Sequence, residues 1–463
     1  MEKITSAIEA QLKAIVGEGS YISAAEMKPD YTHDEKAMYG TGTPDAAVEV
    51  TSAEQIAQIL KICNENQIPV TVRGAGTGLC GGSVAVEGGL LLVTAKMNQI
   101  LALDEDNMTI TVQPGVTLQE IMDTAAAHGL YYPPDPGEKT ASIGGNVNTN
   151  AGGPAAAKYG TTRDYVLALT AVLPNGEIVK LGAPVLKSSN SLNLMQLIIG
   201  SEGNLAVVTE ITLKLIPKKK YNISFICPYE TVEGAMNAAK VFKKAGLDAA
   251  NMELLTTDLI NLAAEFTGEA VFPTDGDAAI LVTYESDSED ALDMLMEQFA
   301  EISEETEPID ILVVDNPTMK ASVWAAHAAF QTVMEASIKR FDESDVVLPM
   351  GNVADYIAAV RELAEELGLT VQVYGHAADG SLHIFVYGKD LSDEAFAAAA
   401  AAFMEKSYAK VTELQGVISG EHGIGYGKKA YLAAALGEAQ VELMRAVKKA
   451  FDPNGILNPG KLV

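Results

Sequence analysis

Two histidines bracket a predicted turn late in the sequence, where their side chains could bind a metal ion together. The segment reads YGHAADGSLHIFVYG, with His376 and His383 on either side of Asp379-Gly380. An Asp-Gly pair favours a tight reversal between antiparallel strands, so we expect the two rings to face each other from adjacent strands. Glu421, in the later segment SGEHGIG, would complete a set of two histidines and one carboxylate. Such a set leaves positions open for a substrate and suits Zn²⁺, Mn²⁺ or Fe²⁺.

These residues also have simpler interpretations. Two histidines seven residues apart are more often structural than metal ligands, and Asp379 can serve the turn alone. His422, directly after Glu421, has an ordinary pKa near neutrality that suits a general base, although a histidine in a glycine loop can simply lie at the surface. The chain contains six histidines: His33, His128, His327, His376, His383 and His422. The residue types alone leave both interpretations open.

Three glycine-rich runs in the first half of the chain could bind phosphate groups. They read RGAGTGLCGGSV, PPDPGEKTASIGGNVNTNAGGP and GSEGNLAVVTE. Glycines free to adopt positive φ can turn successive N–H groups toward an anion, and Thr140, Ser142, Asn146 and Asn148 add side-chain donors. Each run alone is typical of an ordinary tight loop, but their co-occurrence indicates a dinucleotide site.

The first run does not fit the common nucleotide-binding motifs. Gly76, Gly78 and Gly81 match the spacing G-x-G-x-x-G after a predicted strand, but β-forming residues follow where a Rossmann motif needs a helix. Position 96 is lysine, where that motif needs an acidic residue for the ribose. No G-K-[ST] triplet occurs, which excludes a P-loop. A dinucleotide would therefore be bound by loops of another geometry.

Short strands and a few helices are expected to position these runs. Ser52 and Gln55 fit a capping box that begins a helix, and Thr117–His128 fits a second helix. Strands are expected in IPVTVR, LLLVTAKM and MTITVQPG, and Asn175-Gly176 supplies a hairpin turn.

After the lysines at 218–220, long helices alternate with single strands, which is typical of helices packed on one sheet. The expected helices are Val232–Ala245, Glu289–Ile302, Ala354–Leu367 and Asp393–Glu413, and the expected strands are ISFIC, AAILVTYE, IDILVV and TVQVYGH. The last segment is glycine-rich again and adds one amphipathic helix. We therefore predict an α+β protein with a first domain at 1–218, a second at 219–414 and a C-terminal segment at 415–463.

Composition limits the partners and the compartment. The net charge of −30 repels nucleic acid and anionic membranes, so neither is an expected partner. The excess of acidic residues is expected to form a solvated surface, with a docking face for a basic protein as the alternative. Cys63, Cys80 and Cys227 are odd in number and form no CxxC pair, so neither a disulfide framework nor an iron–sulfur cluster is expected. With no signal-like start and no run of 18 apolar residues, we expect a soluble, cytoplasmic protein.

Four segments together resemble one flavoprotein family. RGAGTGLCGG, PPDP…SIGGNVNTNAGGP, GSEGNLAVVTEITLKLIP and FDPNGILNPGK are similar to the FAD-binding segments of the family that includes D-lactate dehydrogenase, the glycolate oxidase flavin subunit and D-2-hydroxyglutarate dehydrogenase. The resemblance runs from residue 40 to the end. It implies a two-part FAD-binding domain of the p-cresol methylhydroxylase (PCMH) or vanillyl-alcohol-oxidase type. Residues 1–218 and 415–463 would form that domain, with an inserted α+β, ferredoxin-like cap domain for the substrate between them.

By motif position, the resemblance places a non-covalent FAD on a defined set of residues, with the pyrophosphate on 73–78 and Asn458 near the isoalloxazine. No histidine or cysteine occupies the position of the linking histidine that related flavoproteins carry, although Cys80 lies in the first run. The expected FAD contacts are Arg73, Gly74, Ala75, Gly76, Thr77, Gly78, Thr140, Ser142, Gly145, Asn148, Glu202, Val208 and Asn458.

The resemblance also assigns the metal and the acid–base chemistry. His376, His383 and Glu421 match the family's metal motifs, and His422 takes the position of its catalytic histidine. A divalent metal would chelate the hydroxyl and carboxylate oxygens of a small 2-hydroxy acid and lower the pKa of the hydroxyl. His422 would then take the hydroxyl proton while hydride passes from C2 to flavin N5.

Three positions depart from the family pattern. Ala378 and Ser381 stand where the family usually has Gly and Asn, and His327 stands where many relatives have an arginine for the substrate carboxylate. Lys339 and Arg340 are alternative anion binders, although a solvated pair is the simpler interpretation. A weakened clamp favours a small monocarboxylate such as D-lactate over a dicarboxylate such as 2-hydroxyglutarate.

The absence of a cluster motif means that the reduced flavin must pass its electrons to a separate acceptor, for which a soluble electron-transferring flavoprotein is favoured. One alternative is redox-neutral chemistry through a flavin adduct, as in the alkylglycerone-phosphate synthases. Another is an FAD-carrying subunit whose degenerate site serves electron relay or assembly. The departures support this last alternative, whereas the intact His376, His383, Glu421 and His422 favour a catalytic dehydrogenase.

Overall fold

The structure is a computed structural model that describes residues 4–388 and 390–462. It divides into two compact units. The first comprises Met1–Gly152, Gly160–Lys218 and Glu421–Val463, and the second comprises Gly153–Tyr159 and Lys219–Gly420. Residues 1–3 and 463, at the ends of the predicted first domain and C-terminal segment, lie outside the described residues. The sequence contains no signal for the short excursion of residues 153–159 into the second unit.

The first unit is built on two sheets, of order β1-β2-β4-β3 and β5-β6-β10-β8-β9, with a small pair formed by β7 and β11. In β4, every side chain of LLLV is buried between parallel neighbours on both sides, which explains its unbroken apolar run. The strands are β1 (Tyr21–Ser23), β2 (Ala46–Glu49), β3 (Val70–Arg73), β4 (Leu90–Val93), β5 (Ile100–Asp104), β6 (Thr109–Val112), β7 (Leu130–Tyr131), β8 (Val166–Val172), β9 (Ile178–Gly182), β10 (Val207–Lys214) and β11 (Ile216–Pro217).

Local signals in the sequence correctly predict several ends of elements in this unit. Ser52 Oγ accepts the N–H of Gln55 at 3.3 Å, but the Gln55 side chain returns to the N–H of Thr51 instead of completing a reciprocal box with Ser52. Thr117 and Glu120 do form a reciprocal capping box. The helices are Ser6–Val16, Ala53–Glu65, Leu118–Ala127, Ile143–Thr149, Thr162–Tyr165, Leu194–Ile198, Lys429–Leu436 and Glu438–Phe451.

Two helices of this unit correct the expectation from the sequence. The second glycine run, expected as a loop, contains the helix Ile143–Thr149, although glycines disfavour helix. The Ile143 N–H donates to Val116 O at 2.9 Å and the Gly144 N–H to Pro114 O at 2.8 Å, so tertiary contacts offset the low propensity. The last segment has two helices where one was expected, because Gly437, at φ 82°, separates them.

The second unit has one antiparallel sheet of order β15-β12-β14-β13-β17-β18-β16. Its strands are β12 (Tyr221–Tyr229), β13 (Asn251–Thr256), β14 (Ala278–Ser286), β15 (Leu312–Val314), β16 (Phe341–Val347), β17 (Thr370–His376) and β18 (Ser381–Tyr387). Its helices are Ala156–Tyr159, Val232–Lys244, Thr257–Thr267, Glu289–Glu304, Pro317–Ala328, Phe330–Ser337, Val353–Glu366 and Asp393–Glu413.

The long helices of this unit match the expected ones within two residues at each end. Three helices were not expected from the sequence, and they pack an apolar core of the second unit against the sheet: Thr257–Thr267, Pro317–Ala328 and Phe330–Ser337. Across residues 4–388 and 390–462, no helix is both long and apolar enough to cross a membrane.

Candidate functional site

The three glycine runs line one cleft in the first unit. The cleft is open to solvent on one side, and its space, with the solvent at its mouth included, is about 1240 Å³. Its glycine-rich backbone suits the phosphate groups of a dinucleotide. The predicted FAD contacts that line it are Gly74, Ala75, Gly76, Thr77, Gly78, Ser142, Gly145, Asn148, Glu202 and Val208.

Glycine is required where the first two runs approach their neighbours. A Cβ on Gly74 would lie 2.1 Å from Ser142 Oγ, and a Cβ on Gly144 would lie 2.6 Å from Pro114 Cβ. Ser142 Oγ also accepts the N–H of Ala75 at 3.3 Å. Backbone therefore forms much of the cleft wall, as a cradle for phosphate oxygens requires.

Asn148 joins the second run to the third. Its side-chain carbonyl accepts the N–H of Gly203 at 3.1 Å, and its backbone carbonyl accepts the N–H of Glu202 at 2.8 Å. Asn148 thus sets the spacing of the runs, a role that motif position alone does not identify.

Glu202 holds the last segment of the chain against the third run. Its buried carboxylate accepts the N–H of Ile424 at 2.7 Å and the N–H of Gly425 at 2.8 Å. Burial raises the pKa of this carboxyl, and the two N–H groups oppose that effect. Glu421 and His422, three and two residues before Ile424, line the same cleft as the glycine runs. Glu202 therefore positions the segment that carries both predicted site residues.

Three predicted FAD contacts do not line the cleft. The Arg73 guanidinium donates to His33 O at 2.7 Å and to Ser83 Oγ at 3.3 Å, and Thr140 is exposed and bonded to the Glu138 carboxylate. Asn458 is buried and donates to Glu202 O at 2.6 Å and to Gly82 O at 3.1 Å. Arg73 and Asn458 therefore support the cleft loops from behind.

Lys461 is a buried cation near the cleft that the sequence analysis missed. Its Nζ lies 2.5 Å from Asn458 Oδ1 and 3.4 Å from the carbonyl of Gly82, a residue of the cleft wall. Burial lowers the pKa of Lys461 to about 7, against the attraction of Glu202 and Asp34. The terminal motif NPGK contains this lysine, but its type and position give no signal of burial.

In the second unit, His376 and His383 lie on adjacent strands, as the Asp379-Gly380 turn predicts. His376 ends β17, His383 lies in β18, and their ring centroids are 5.6 Å apart. Both side chains are buried. Asp379 Oδ1 accepts the N–H of Ser381 at 2.9 Å, which is the turn-forming role. The rings are therefore close enough to share one ion within this unit.

A buried carboxylate that the sequence analysis missed links two of the histidines. Glu253 lies in the middle of β13, fully buried, with Oε2 2.7 Å from His376 Nδ1 and 3.2 Å from His327 Nε2. Burial alone would raise the pKa of Glu253, but His376 and His327 lower it to about 2. His327, expected at the position of a substrate clamp, thus contacts a carboxylate of its own chain.

Two further buried carboxylates belong to β16. Glu343 Oε1 lies 3.8 Å from His383 Nδ1. Asp345 pairs with His383 across β16 and β18 and accepts the N–H of Gly420 and the hydroxyl of Ser419. Neither carboxylate stands in a recognisable motif. With Glu253, they give this part of the sheet an acidic, histidine-rich interior.

Comparison with known proteins assigns the family. A family model described as "FAD linked oxidases, C-terminal domain" matches residues 218–462, and one described as "FAD binding domain" matches 44–182. D-lactate dehydrogenase of Anaerostipes hadrus is 46% identical over 442 residues, which cover 94% of this chain and 93% of the relative. Glycolate oxidase subunit GlcD of Bacillus subtilis is 33% identical over 460 residues, covering 99% and 97%.

Solved structures confirm the predicted fold class. p-Cresol methylhydroxylase superposes with a TM-score of 0.80 at 17% identity, covering 99% of this chain and 97% of that one. An alkyldihydroxyacetonephosphate synthase gives 0.76 at 15% identity, covering 99% and 86%. At such identities the likeness concerns the fold, which is the predicted α+β, PCMH-type architecture. The sequence relatives and family models go further: the chain belongs to the family of FAD-linked oxidases and is an FAD-dependent oxidoreductase.

Proposed function

We propose that the protein oxidises a small D-2-hydroxy acid, with D-lactate favoured, to the 2-oxo acid at a non-covalently bound FAD. The observation that carries this proposal is that Glu421 and His422 line the same cleft as the three glycine runs. The relative named D-lactate dehydrogenase at 46% identity supports the choice of substrate.

The cleft offers FAD both backbone and side-chain partners. The loop at residues 74–78 and Ser142, Gly145 and Asn148 would hold its phosphates and ribityl chain, with Glu202 and Val208 completing the wall. Arg73, Thr140 and Asn458 would act at the margin of the cleft or through its loops. When bound, the flavin accepts the hydride equivalent that leaves C2 of the substrate.

A divalent metal, Zn²⁺, Mn²⁺ or Fe²⁺, is the second proposed cofactor, with His376, His383 and Glu421 as ligands. Imidazole nitrogens and carboxylate oxygens are donors that suit these ions. Carboxylate oxygens of Glu253 and Glu343 lie 2.7 Å from His376 Nδ1 and 3.8 Å from His383 Nδ1, and a carboxylate beside the second ring nitrogen is typical of histidines that bind a metal. When bound, the metal lowers the pKa of the substrate hydroxyl.

His422 is proposed as the general base that takes the hydroxyl proton. It lies in the cleft wall, on the segment whose Ile424 and Gly425 N–H groups donate to the Glu202 carboxylate. His327 is bonded to Glu253 and does not replace the family's arginine as a free cation. A substrate with a single carboxylate requires one clamp fewer, which agrees with D-lactate.

The electrons would leave through a separate acceptor, and we propose a soluble electron-transferring flavoprotein. The sequence has no motif for an iron–sulfur cluster of its own that could take the electrons from the flavin. The acidic surface, with a net charge of −30, would suit docking to a basic face.

The test is anaerobic absorbance of the purified holoprotein after separate additions of D-lactate, L-lactate, glycolate and D-2-hydroxyglutarate, before and after chelation. Bleaching of the flavin band by D-lactate, lost with chelator and restored by metal, is the expected result. A flavin that none of these acids reduces would rule out the proposed reaction for this chain, and reduction that survives complete metal removal would rule out the metal's role alone.

A further inference from the structure

Glu253 is an unusual residue for its place in the fold. It occupies the centre of β13, in the sequence NMELLT, where its neighbours Met252, Leu254 and Leu255 are buried and apolar. A buried carboxylate is costly, and an apolar side chain at such a position is often neutral or stabilising. Packing of the sheet therefore does not explain why residue 253 is a glutamate. The contacts of its carboxylate explain it.

Those contacts converge on a single carboxylate oxygen. Glu253 and His376 are register partners on β13 and β17, and Glu253 Oε2 lies 2.7 Å from His376 Nδ1. His327, from the helix Pro317–Ala328, brings its Nε2 to the same oxygen at 3.2 Å. Trp324, Phe330 and Tyr374 contact the His327 ring at centroid distances of 5.3, 5.7 and 6.1 Å. His327 thus holds the carboxylate in the position from which it contacts His376.

We propose that Glu253 is a positioning residue that sets the tautomer and orientation of His376 for metal binding, with His327 holding the carboxylate in place. The inference rests on the proposed metal function of His376. Because Nδ1–H donates to Glu253, Nε2 is the nitrogen that carries the lone pair and can bind an ion. A carboxylate that accepts from the distal N–H of a ligand histidine also makes the ligand nitrogen a stronger donor.

This role gives His327 a function other than the one its position predicts. Both histidines donate to the carboxylate, so Glu253 is held by two hydrogen bonds from different elements. Removal of His327 leaves the bond to His376 but frees the carboxylate to rotate. We therefore expect a smaller effect at His327 than at Glu253.

The experiment measures metal affinity and histidine tautomers in the FAD-loaded protein. Variants are Glu253→Gln, Glu253→Leu and His327→Leu. The matched control is Thr256→Val, which removes a buried 2.7 Å hydrogen bond from the same strand to Val373 O on β17 without touching a histidine. Affinity for Zn²⁺ is measured by competition with a chromophoric chelator, and the tautomers are read from ¹⁵N-histidine spectra of the metal-free protein.

The wild type is expected to bind Zn²⁺ and to show His376 with the proton on Nδ1. Both Glu253 variants should weaken Zn²⁺ binding by roughly 10- to 100-fold, the usual effect of losing such a partner, and Glu253→Leu should also lose the single tautomer. Thr256→Val should lower the melting temperature and leave the affinity unchanged. If Glu253→Leu fails to fold, the Gln variant, which keeps the shape of the side chain, carries the test.

The outcomes distinguish failure of the role of Glu253 from failure of the proposed metal site. A wild type that binds Zn²⁺ with Glu253 variants that bind it equally well overturns the role of Glu253 and leaves the metal site standing. A wild type that binds no divalent metal overturns the metal site and this inference together. An equal loss of affinity in Thr256→Val would show that strand stability, and not the carboxylate, controls the site.

Discussion

Glu202→Gln tests whether the first unit positions its proposed base through two hydrogen bonds. The carboxylate accepts N–H groups of Ile424 at 2.7 Å and Gly425 at 2.8 Å, and bonds to a charged group contribute roughly 1.5–3 kcal/mol each. Glutamine keeps one acceptor oxygen but turns an N–H group toward the second donor. We expect the free energy that holds this segment in place to fall by about 2–3 kcal/mol. At 1.36 kcal/mol per factor of ten, the equilibrium between the held and released segment then changes roughly 30- to 150-fold.

The assay is the rate of flavin reduction by D-lactate under anaerobic rapid mixing, with FAD content and melting temperature measured beside it. Because His422 lies two residues before Ile424, kcat/KM should fall by a factor in that range while FAD remains bound. Glu210→Gln, which removes the same charge from a half-buried position on β10, is the control and should retain activity. A Glu202→Gln enzyme with bound FAD and kcat/KM within threefold of the wild type would refute the positioning argument.

Four further predictions follow from individual residues. Burial raises the pKa of Asp34 from 3.8 to about 6, so in this pH window the folded state keeps a proton that the unfolded chain has lost, and stability falls as pH rises. Between pH 4 and 7, thermal melts should show the stability of Asp34→Asn rising by up to about 3 kcal/mol relative to the wild type. A stability difference between the two proteins that does not change with pH would contradict the pKa shift. Gly144→Ala should destabilise the apoprotein by about 1–3 kcal/mol, because its Cβ meets Pro114. Gly145→Ala, whose Cβ comes no closer than 3.3 Å to Ser142 Oγ, should spare the apoprotein fold and lower FAD affinity, and unchanged FAD titration would argue against a cofactor at that position. His383→Ala should abolish bound divalent metal measured by elemental analysis while FAD absorbance persists, and full metal content would exclude His383 as a ligand.

Part of the fold could be predicted from the sequence because it depends on neighbours in the chain. The capping pair Thr117 and Glu120 and the Asn175-Gly176 turn are set by residues within a few positions of one another. The Asp379-Gly380 turn likewise brings His376 and His383 onto adjacent strands. The β-forming residues that follow the first glycine run predicted no Rossmann helix there, and residues 74–89 contain no helix.

Other features could not be predicted because nonlocal contacts overrule local preference. The helix Ile143–Thr149 begins with two glycines in its first turn, and hydrogen bonds to Pro114 and Val116 hold it. The final Lys461 looks like a terminal surface cation, but the chain end packs beside β3, where the N–H of Val70 donates to Ile456 O at 2.7 Å. Lys461 is buried because of its position in the fold, and the residue type does not predict that position.

Short segments of sequence are enough to predict the family, the FAD, the pair of facing histidines and the candidate base, because motifs and turns carry those signals locally. Which residues support them depends on the fold. Glu253 reads as an ordinary polar residue in a strand, and it becomes a partner of His376 only through the register of β13 on β17. His327 reaches the same carboxylate only because its helix packs on that sheet. Register and helix packing are set by the whole core, so no short stretch of sequence contains them.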